Sequence, residues 1–386
     1  MRAPVPSQPF DYRARLTRAT AAMAASGADT LLIAHLPNLR YLSGLEATAG
    51  LGLLGADGRL DLLVDPRYEA AAGACARAVG DDRIRVVATG DDRPTRAVAA
   101  QCLRQRVRHL AVESRAISWH DARQLERALS ADGWHGVLDD APSDLVEQLR
   151  RVKDPTELAI LRHAGTRLSH AARGVLADAV ARPGRTEMEV AAEIDGRLRA
   201  VGFSRPAFDT IVASGPRSAL PHARPSARVL QPDEVVVLDF GGVYGGYCVD
   251  LTRTVCLGRP TPDVNAQYHA VLAAQRAGCA AVAPGALPAD VDRAARQVLE
   301  AAGLGSAFGH GTGHGLGLEV HEAPRLARLR PGDPLQPALA VGVVCTIEPG
   351  AYVAGRAGVR IEDDVVVTAA GHDRLTDVPL GWPTAH

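Results

Sequence analysis

The sequence predicts a protein of the α/β class, or α+β, with two domains, and three observations support this prediction. The chain has 386 residues, which is more than one ordinary hydrophobic core accommodates. Its first part alternates helical and strand-like segments. The remainder contains two similar halves, each a helical pair followed by strand-like segments. We therefore predict domains at residues 1–150 and 151–386.

Composition excludes several function classes. Hydrophobic residues make up 47% of the chain and the formal net charge is -1, which gives no reason to expect a nucleic acid or a membrane surface as partner. The six cysteines include no C-x-x-C pair and indicate reduced thiols in a reducing compartment. The chain shows neither an apolar leader segment nor a membrane-length apolar run. We expect a soluble, cytoplasmic protein.

The N-terminal domain is predicted from alternating patterns. The stretch DYRARLTRATAAMAASG has helical spacing and ends at Gly27, and the predicted strands are TLLIA, LDLLVD, RIRVVAT and HLAVES. Helical stretches rich in Ala and Arg fill the intervals, which is typical of a small α/β domain. After a polar stretch, a long helix is expected from Thr156, with Pro155 in its first turn.

The C-terminal domain contains an internal repeat. The first helix of each pair is followed by Pro-Gly, at Pro183-Gly184 and at Pro284-Gly285. The second helix is followed by a glycine and an apolar residue, at Gly202-Phe203 and at Gly303-Leu304. The separation between the two Pro-Gly pairs equals the separation between the two glycine-apolar pairs. Strand-like runs come after each pair: TIVASG and VVVLDF, then VVCTIEPG and GVRIEDDVVVT. We predict two halves, with two sheets facing each other and the helices outside.

The repeat also places acidic residues at similar points. Asp239 and Asp250 lie in VVVLDFGGVYGGYCVDLTRT, and Glu348 and Glu362 lie in the second half. If Tyr244-Gly245 were the hairpin loop, the two aspartates would face each other with Cβ atoms about 5 Å apart, which destabilises a like-charged pair. Capping acids on a simple hairpin are the alternative. Because four converging buried carboxylates need compensation, we predict one or two bound cations.

Three histidines lie in a glycine-rich stretch, FGHGTGHGLGLEVHEAPR, at His310, His314 and His321. The glycines exclude an ordinary helix, so His310 and His314 are not an i,i+4 zinc pair. One imidazole beside four carboxylates forms a hard, oxygen-rich set that suits Mn²⁺, or Co²⁺, Fe²⁺ or Zn²⁺, in a two-metal site. His222 lies in a proline-bounded turn, and its spacing assigns it no role.

These motifs resemble a known family. LDFGG, DLTRT, GHGTGHGLGLEVHE, TIEPG and GVRIEDD are similar to the motif series of the metallopeptidases with the pita-bread fold, which include methionine aminopeptidase, aminopeptidase P and prolidase. The resemblance covers about residues 153–368. PNLRYLSG and DPRYEAAA resemble the creatinase-like N-terminal domain of the proline-specific branch.

The resemblance implies a set of five metal ligands. Asp239 would bind one metal, Asp250 and Glu362 would bridge two, and His314 and Glu348 would hold the other. The implied cofactors are two divalent ions, with Mn²⁺ favoured over Co²⁺, Zn²⁺ or Fe²⁺. A bridging water would be the nucleophile, because two cations lower its pKa.

The resemblance also implies catalytic residues. Glu348 would accept the proton of that water, and His222 and His321 would bind the scissile carbonyl and steady the tetrahedral intermediate.

Further residues are implied on the substrate side. His310 and Tyr352 match pocket residues, and Arg360 matches an arginine that orients a bridging carboxylate. Arg325 matches an arginine that in some prolidases is associated with the free carboxylate of a dipeptide. Many relatives have Asn where this chain has Arg217, beside the His222 loop.

We interpret the chain as a metal-dependent Xaa-Pro peptidase, with a lean toward Xaa-Pro dipeptides as in prolidase. An aminopeptidase P acting on longer peptides is the main alternative. A creatinase-like amidinohydrolase or a non-catalytic peptide-binding module is less favoured, because such relatives lack the complete ligand set. The expected partners are a proline-containing peptide and a second copy of the chain in a homodimer.

Overall fold

The computed structural model describes residues 9–80, 82–90, 94–142, 144–178 and 180–382. The first eight and the last four residues, which the domain prediction includes, lie outside the described residues. The chain divides into two compact units, one spanning Pro9–Arg150 and one that begins at Arg151. Within the described ranges, no helix combines the length and the hydropathy that crossing a bilayer requires.

Helices and strands alternate along the N-terminal unit, which confirms the α/β prediction. The helices are α1 (Tyr12–Ala25), α2 (Leu36–Ser43), α3 (Pro66–Val79), α4 (Pro94–Arg104), α5 (Trp119–Ala131) and α6 (Leu145–Arg150). The strands are β1 (Thr30–Ile33), β2 (Leu51–Gly55), β3 (Leu60–Val64), β4 (Ile84–Ala88), β5 (His109–Val112) and β6 (Val137–Asp140).

These strands form one mixed sheet in the order β4-β3-β2-β1-β5-β6. Strands β1, β5 and β6 are parallel, as are β3 and β4, whereas β2 runs antiparallel to both of its neighbours. Strands β1 and β3 are buried along their whole length, as expected for strands covered on both faces, whereas the edge strands β4 and β6 are largely half-buried or exposed. Leu32, Val98, Leu110 and Leu129 belong to one hydrophobic cluster that joins the sheet to α4 and α5.

Two helical pairs occur in the C-terminal unit, as the repeat predicts. The first helix begins at Pro155, one residue earlier than expected, because Asp154 caps it. The Asp154 carboxylate accepts from the Glu157 amide and the Glu157 carboxylate accepts from the Asp154 amide, both at 2.9 Å. The helices are α7 (Pro155–Ala177), α8 (Glu187–Ala200), α9 (Pro262–Ala280) and α10 (Pro288–Ala301).

The repeat extends to backbone conformation. Gly184 and Gly285 have φ of 88° and 85°, and Gly202 and Gly303 have φ of 98° and 72°. Because these left-handed conformations favour glycine, each pair marks an equivalent turn in the two halves. The sequence repeat therefore corresponds to a repeated helix-turn-helix structure.

The strands of the C-terminal unit form four ladders among the described residues, β11-β10-β7, β12-β9-β8, β14-β13-β15-β18-β19 and β16-β17. The prediction of one sheet per half was therefore too simple, since each half contains two ladders. The strands are β7 (Arg205–Pro206), β8 (Ile211–Ser214), β9 (Val235–Asp239), β10 (Gly242–Tyr244), β11 (Tyr247–Val249), β12 (Thr252–Cys256), β13 (Gly313–Gly315), β14 (Glu322–Leu326), β15 (Val344–Ile347), β16 (Gly350–Val353), β17 (Ala357–Arg360), β18 (Asp363–Thr368) and β19 (Gly371–Arg374).

The hairpin of β10 and β11 has a different register from the expected one. Its loop is Gly245-Gly246, with φ of 57° and 88°, because a tight two-residue loop requires positive φ at both central positions. The expected Tyr244-Gly245 loop was wrong by one position. Asp239 consequently lies opposite Thr252 rather than opposite Asp250.

Close packing of α7 yields a stability prediction. A Cβ atom added at Gly165 would lie 2.3 Å from the Leu375 carbonyl oxygen, whereas one added at Gly196 in α8 would meet no atom within 4 Å. We expect Gly165→Ala to lower the free energy of unfolding by about 1–3 kcal/mol. The control Gly196→Ala should raise it by about 0.5–1 kcal/mol, because alanine is the better helix former. Urea denaturation measures both, and equal effects of the two substitutions would contradict the packing argument.

Candidate metal centre and active site

Four carboxylates lie where strands of the C-terminal unit end. Asp239 is the last residue of β9, Asp250 lies between β11 and β12, Glu348 between β15 and β16, and Glu362 between β17 and β18. All four line one cavity of about 720 Å³. The chain thus brings these acidic side chains together at the points where it passes from one ladder to another.

Burial sets the charge state of this cluster. Asp250 and Glu362 are 5% and 1% exposed, and burial together with neighbouring carboxylates raises the pKa of both well above the usual range. Burial likewise raises the pKa of Glu348 to about 8. Asp239 Oδ1 and Glu362 Oε1 are buried without a hydrogen-bond partner among the described residues. Unpartnered buried carboxylate oxygens fit a divalent cation.

His314 on β13 completes the donor set. Its Nδ1 lies 3.1 Å from the Gly315 carbonyl oxygen, which can only accept, so Nδ1 carries the proton and Nε2 keeps a lone pair. Burial lowers the pKa of His314 to about 4, and the ring is neutral at neutral pH. One ligand atom from each of His314, Asp250 and Glu362 lies within 4.8 Å of the others. A single ion can therefore contact all three residues.

Asp364 belongs to this cluster, and the sequence interpretation missed it. Its Oδ2 accepts from the Asp250 amide at 2.9 Å, and its Oδ1 is buried without a partner among the described residues. Burial raises its pKa well above the usual value. The IEDD motif could have indicated this residue. Glu362 and Asp364 are two positions apart, and residues two apart on a strand point to the same face.

Arg360 neutralises part of the cluster. Its guanidinium donates to Asp239 Oδ2 and, at 2.8 Å, to the Tyr352 hydroxyl. It also donates to Thr252 Oγ1 at 3.2 Å, and this hydroxyl donates to Glu362 Oε2 at 2.6 Å. Arg360 therefore contacts Asp239 directly and reaches Glu362, which we expected to bridge two metals, only through Thr252.

His310 and Tyr352 form a hydrogen-bonded pair. His310 Nδ1 donates to the Gly311 carbonyl oxygen at 2.7 Å, so its Nε2 accepts from the Tyr352 hydroxyl at 2.9 Å. Burial lowers the pKa of His310 to about 4 and raises that of Tyr352 to about 12. His310 lines the cavity, whereas Tyr352 does not; Tyr352 contacts the cavity wall through His310 and Arg360.

The remaining predicted residues also line the cavity. His321 stacks edge-on against His314 with ring centroids 4.3 Å apart, and burial lowers its pKa. His222 follows Pro221, whose carbonyl accepts from Arg360 at 3.1 Å. Arg325 lies on β14 with its side chain exposed. Tyr352 is thus the one predicted site residue outside the lining, which includes Asp239, Asp250, Glu348, Glu362, His222, His310, His314, His321, Arg325 and Arg360.

Comparison with known protein families shows the family to which this chain belongs. The sequence matches the model of metallopeptidase family M24 over residues 159–369, which is more than half of the chain. The chain belongs to metallopeptidase family M24. Residues 15–152 match the creatinase/prolidase N-terminal domain. The expected fold, with a creatinase-like domain followed by a pita-bread domain, is confirmed, and M24 membership implies divalent metal ions.

Individual M24 relatives are similar over nearly the whole chain. An Xaa-Pro dipeptidase of Pyrococcus horikoshii is 32% identical over 90% of this chain and 92% of its own. The structure of an Xaa-Pro dipeptidase from Bacillus anthracis superposes with a TM-score of 0.87 at 33% identity, covering 96% of this chain and 99% of that one. The structure of an X-Pro aminopeptidase from Thermotoga maritima superposes with a TM-score of 0.80 at 32% identity, covering 94% of this chain and 99% of that one.

A buried ion pair lies at the edge of the cavity that the donor cluster lines. Lys153, the only lysine in the sequence, donates to Glu322 Oε1 at 2.7 Å, and the two side chains are 1% and 5% exposed. A Cβ atom at Gly317 would lie 2.3 Å from Glu322 Oε1 and 3.1 Å from Lys153 Cε. Glycine at that position therefore makes room for the pair, which anchors the residue after His321.

The raised pKa of Glu348 predicts how the metal-free protein responds to pH. A carboxyl whose pKa is higher in the folded state stabilises the fold below its unfolded pKa and loses that contribution as pH rises to the folded value. For Glu348 this window runs from 4.5 to about 8. We expect the melting temperature measured with a chelator to fall across this window, and to fall less steeply in Glu348→Gln.

Added divalent metal supplies the control for this pH dependence. It should stabilise the protein more at pH 8 than at pH 5, because its ligands bind when deprotonated. Identical pH slopes for the metal-free wild type and Glu348→Gln would contradict the role given to this carboxyl.

Proposed function

We propose that this M24 protein is a metal-dependent Xaa-Pro peptidase that hydrolyses the bond between an N-terminal residue and a following proline, with a preference for Xaa-Pro dipeptides. The observation that carries the proposal is the meeting of five acidic and imidazole donors with three further histidines and Arg325 in one cavity. Similarity to Xaa-Pro dipeptidases over nearly the full chain supports the substrate class. Residues 151–386 would form the catalytic domain and 1–150 the creatinase-like domain.

The donor set indicates which residues would hold the metal. Asp250 and Glu362 would bridge two ions, with Asp239 on one side and His314 and Glu348 on the other. Bound divalent cations supply Lewis acidity and lower the pKa of water. Four carboxylates and one imidazole favour a hard ion, and Mn²⁺ is our proposal, with Co²⁺, Zn²⁺ or Fe²⁺ as alternatives.

The chain's own residues would perform the proton transfer and the orientation. Glu348, whose Oε1 lies 3.4 Å from His314 Nε2 in the donor cluster, would accept the proton of the attacking water. His321 and His222 line the cavity next to the donor cluster and would bind the scissile carbonyl oxygen. Neutral His310, held by Tyr352 and Gly311, would form a fixed wall of the substrate pocket.

An Xaa-Pro aminopeptidase acting on longer peptides is the second candidate. The similarity to the Thermotoga maritima X-Pro aminopeptidase favours it. A creatinase-like amidinohydrolase or a non-catalytic module is disfavoured, because the complete donor set lines the cavity. The homodimer and the cytoplasmic location stay predictions.

A substrate panel separates the two candidates. With Mn²⁺ or Co²⁺ added, we expect cleavage of Ala-Pro and Leu-Pro and little cleavage of Xaa-Pro-Xaa tripeptides, because the free carboxylate of a dipeptide would pair with Arg325. Release of the free N-terminal amino acid measures the reaction for both substrate classes, because a dipeptide leaves proline and a tripeptide leaves a Pro-Xaa dipeptide. Efficient cleavage of the tripeptides would replace the dipeptidase with the aminopeptidase, and no cleavage of either class would refute an Xaa-Pro peptidase.

Two substitutions separate metal binding from turnover. Asp250→Ala should abolish activity and weaken metal binding by more than about 100-fold, since even outer partners of a ligand contribute up to that factor. His321→Ala should lower kcat by about 100- to 1,000-fold while metal content is kept, as expected for loss of a group that stabilises the developing oxyanion. Metal analysis of purified samples checks both. Metal loss in His321→Ala would place that histidine among the ligands.

A further inference from the structure

Two arginines with uncompensated charge line the cavity. Arg224 and Arg325 are exposed, and neither guanidinium has an ion-pair partner among the residues that the structure describes. Other arginines of this region are paired, such as Arg217 with Glu187 at 3.1 Å and Arg228 with Glu234 at 2.6 Å. Two free cations therefore share the cavity with the acidic donor cluster.

The backbone around Arg224 is held by an ion pair between the partly exposed Arg217 and the buried Glu187. Arg217 Nη2 donates to the Arg224 carbonyl oxygen at 2.6 Å, while Arg217 Nε donates to the fully buried Glu187. The same carboxylate accepts from the Ser226 amide at 3.0 Å and from its hydroxyl at 2.6 Å. The segment between His222 and Ser226 is thus tied to α8, although the Arg224 side chain itself is unbound.

The backbone of Arg325 is held in a comparable way. Gln336 Oε1 accepts from the Arg325 amide at 2.8 Å, and Gln336 Nε2 donates to the Arg325 carbonyl oxygen at 2.7 Å. Both arginines therefore combine a fixed backbone with a free guanidinium. This combination suits recognition of a small anion, because the unpaired guanidinium can turn toward the ligand and only the side chain remains to be ordered.

We propose that Arg224 is a specificity-determining residue that binds, together with Arg325, the free C-terminal carboxylate of an Xaa-Pro dipeptide. This inference rests on the proposed peptidase function. A guanidinium is always charged and pairs with a carboxylate in a bidentate geometry. Phe208, Ile211 and Ala223 give the same cavity apolar wall for the proline ring. A peptide amide or a longer peptide lacks the carboxylate at this position and loses the charged contact.

The test compares Ala-Pro with Ala-Pro amide, which differ at the C-terminal group. The variants are Arg224→Gln, Arg224→Lys and Arg325→Gln, with Arg199→Gln on the exposed end of α8 as the matched control. Arg224→Gln should lower kcat/KM for Ala-Pro about tenfold or more through KM, as expected for loss of a charged hydrogen bond. The amide should change less than about twofold, and Arg224→Lys should recover part of the loss.

Calorimetric binding of the same two peptides gives a readout that needs no turnover. Wild-type protein should bind Ala-Pro more tightly than its amide, and Arg224→Gln should remove most of that preference. If Arg224→Gln weakened the binding of both peptides equally, or of neither, the inference would be overturned and Arg224 would only line the cavity. Should the wild type cleave neither peptide but show the carboxylate preference that depends on Arg224, the peptidase proposal would fail and this inference would stand.

Discussion

Burial of several like-charged carboxylates in one place is the constraint around which the C-terminal unit is organised. Burial and neighbouring acids raise the pKa of Asp250, Glu362 and Asp364 well above the usual range. Arg360 compensates Asp239, but one guanidinium cannot neutralise the whole cluster. Groups of this kind either keep their protons or bind cations. The divalent metal that M24 membership implies would therefore compensate the charge of the folded cluster as well as take part in the reaction.

The ladder breaks of the C-terminal unit allow this cluster to exist. At each break a backbone amide donates a hydrogen bond outside its own ladder. The Glu348 amide donates to the Thr312 carbonyl oxygen at 2.7 Å, and the Glu362 amide donates to the Thr252 carbonyl oxygen at 3.1 Å. Asp250 donates to the Asp364 carboxylate at 2.9 Å. These backbone amides therefore keep a hydrogen-bond acceptor, although their residues lie outside the regular strands. Two ladders in each half, rather than one continuous sheet, supply these junctions.

Local patterns predicted the repeat and the donor types, because turns and motifs depend on near neighbours in the sequence, and the resemblance of the motifs to a known family implied the pita-bread fold. The hairpin register was wrong because two consecutive glycines shifted the loop by one position. Asp364 was missed although its alternation with Glu362 was visible. Contacts that join distant segments could not be predicted from spacing. Lys153 and Glu322 are 169 positions apart, and Arg360 and Asp239 are 121 apart. Such pairs depend on the packed tertiary structure, which determines whether Arg360 meets Asp239 or a bridging acid.

The burial of Lys153 has a consequence for proteolysis. A lysine-specific endoproteinase has one target bond in this chain, between Lys153 and Asp154, and the lysine side chain is 1% exposed against Glu322. Cleavage must wait until the segment opens, so its rate reports the local opening free energy when reclosing is fast. A single cut would yield two fragments, residues 1–153 and 154–386. Cleavage at this one bond therefore measures how often the chain opens beside the cavity that the donor cluster lines.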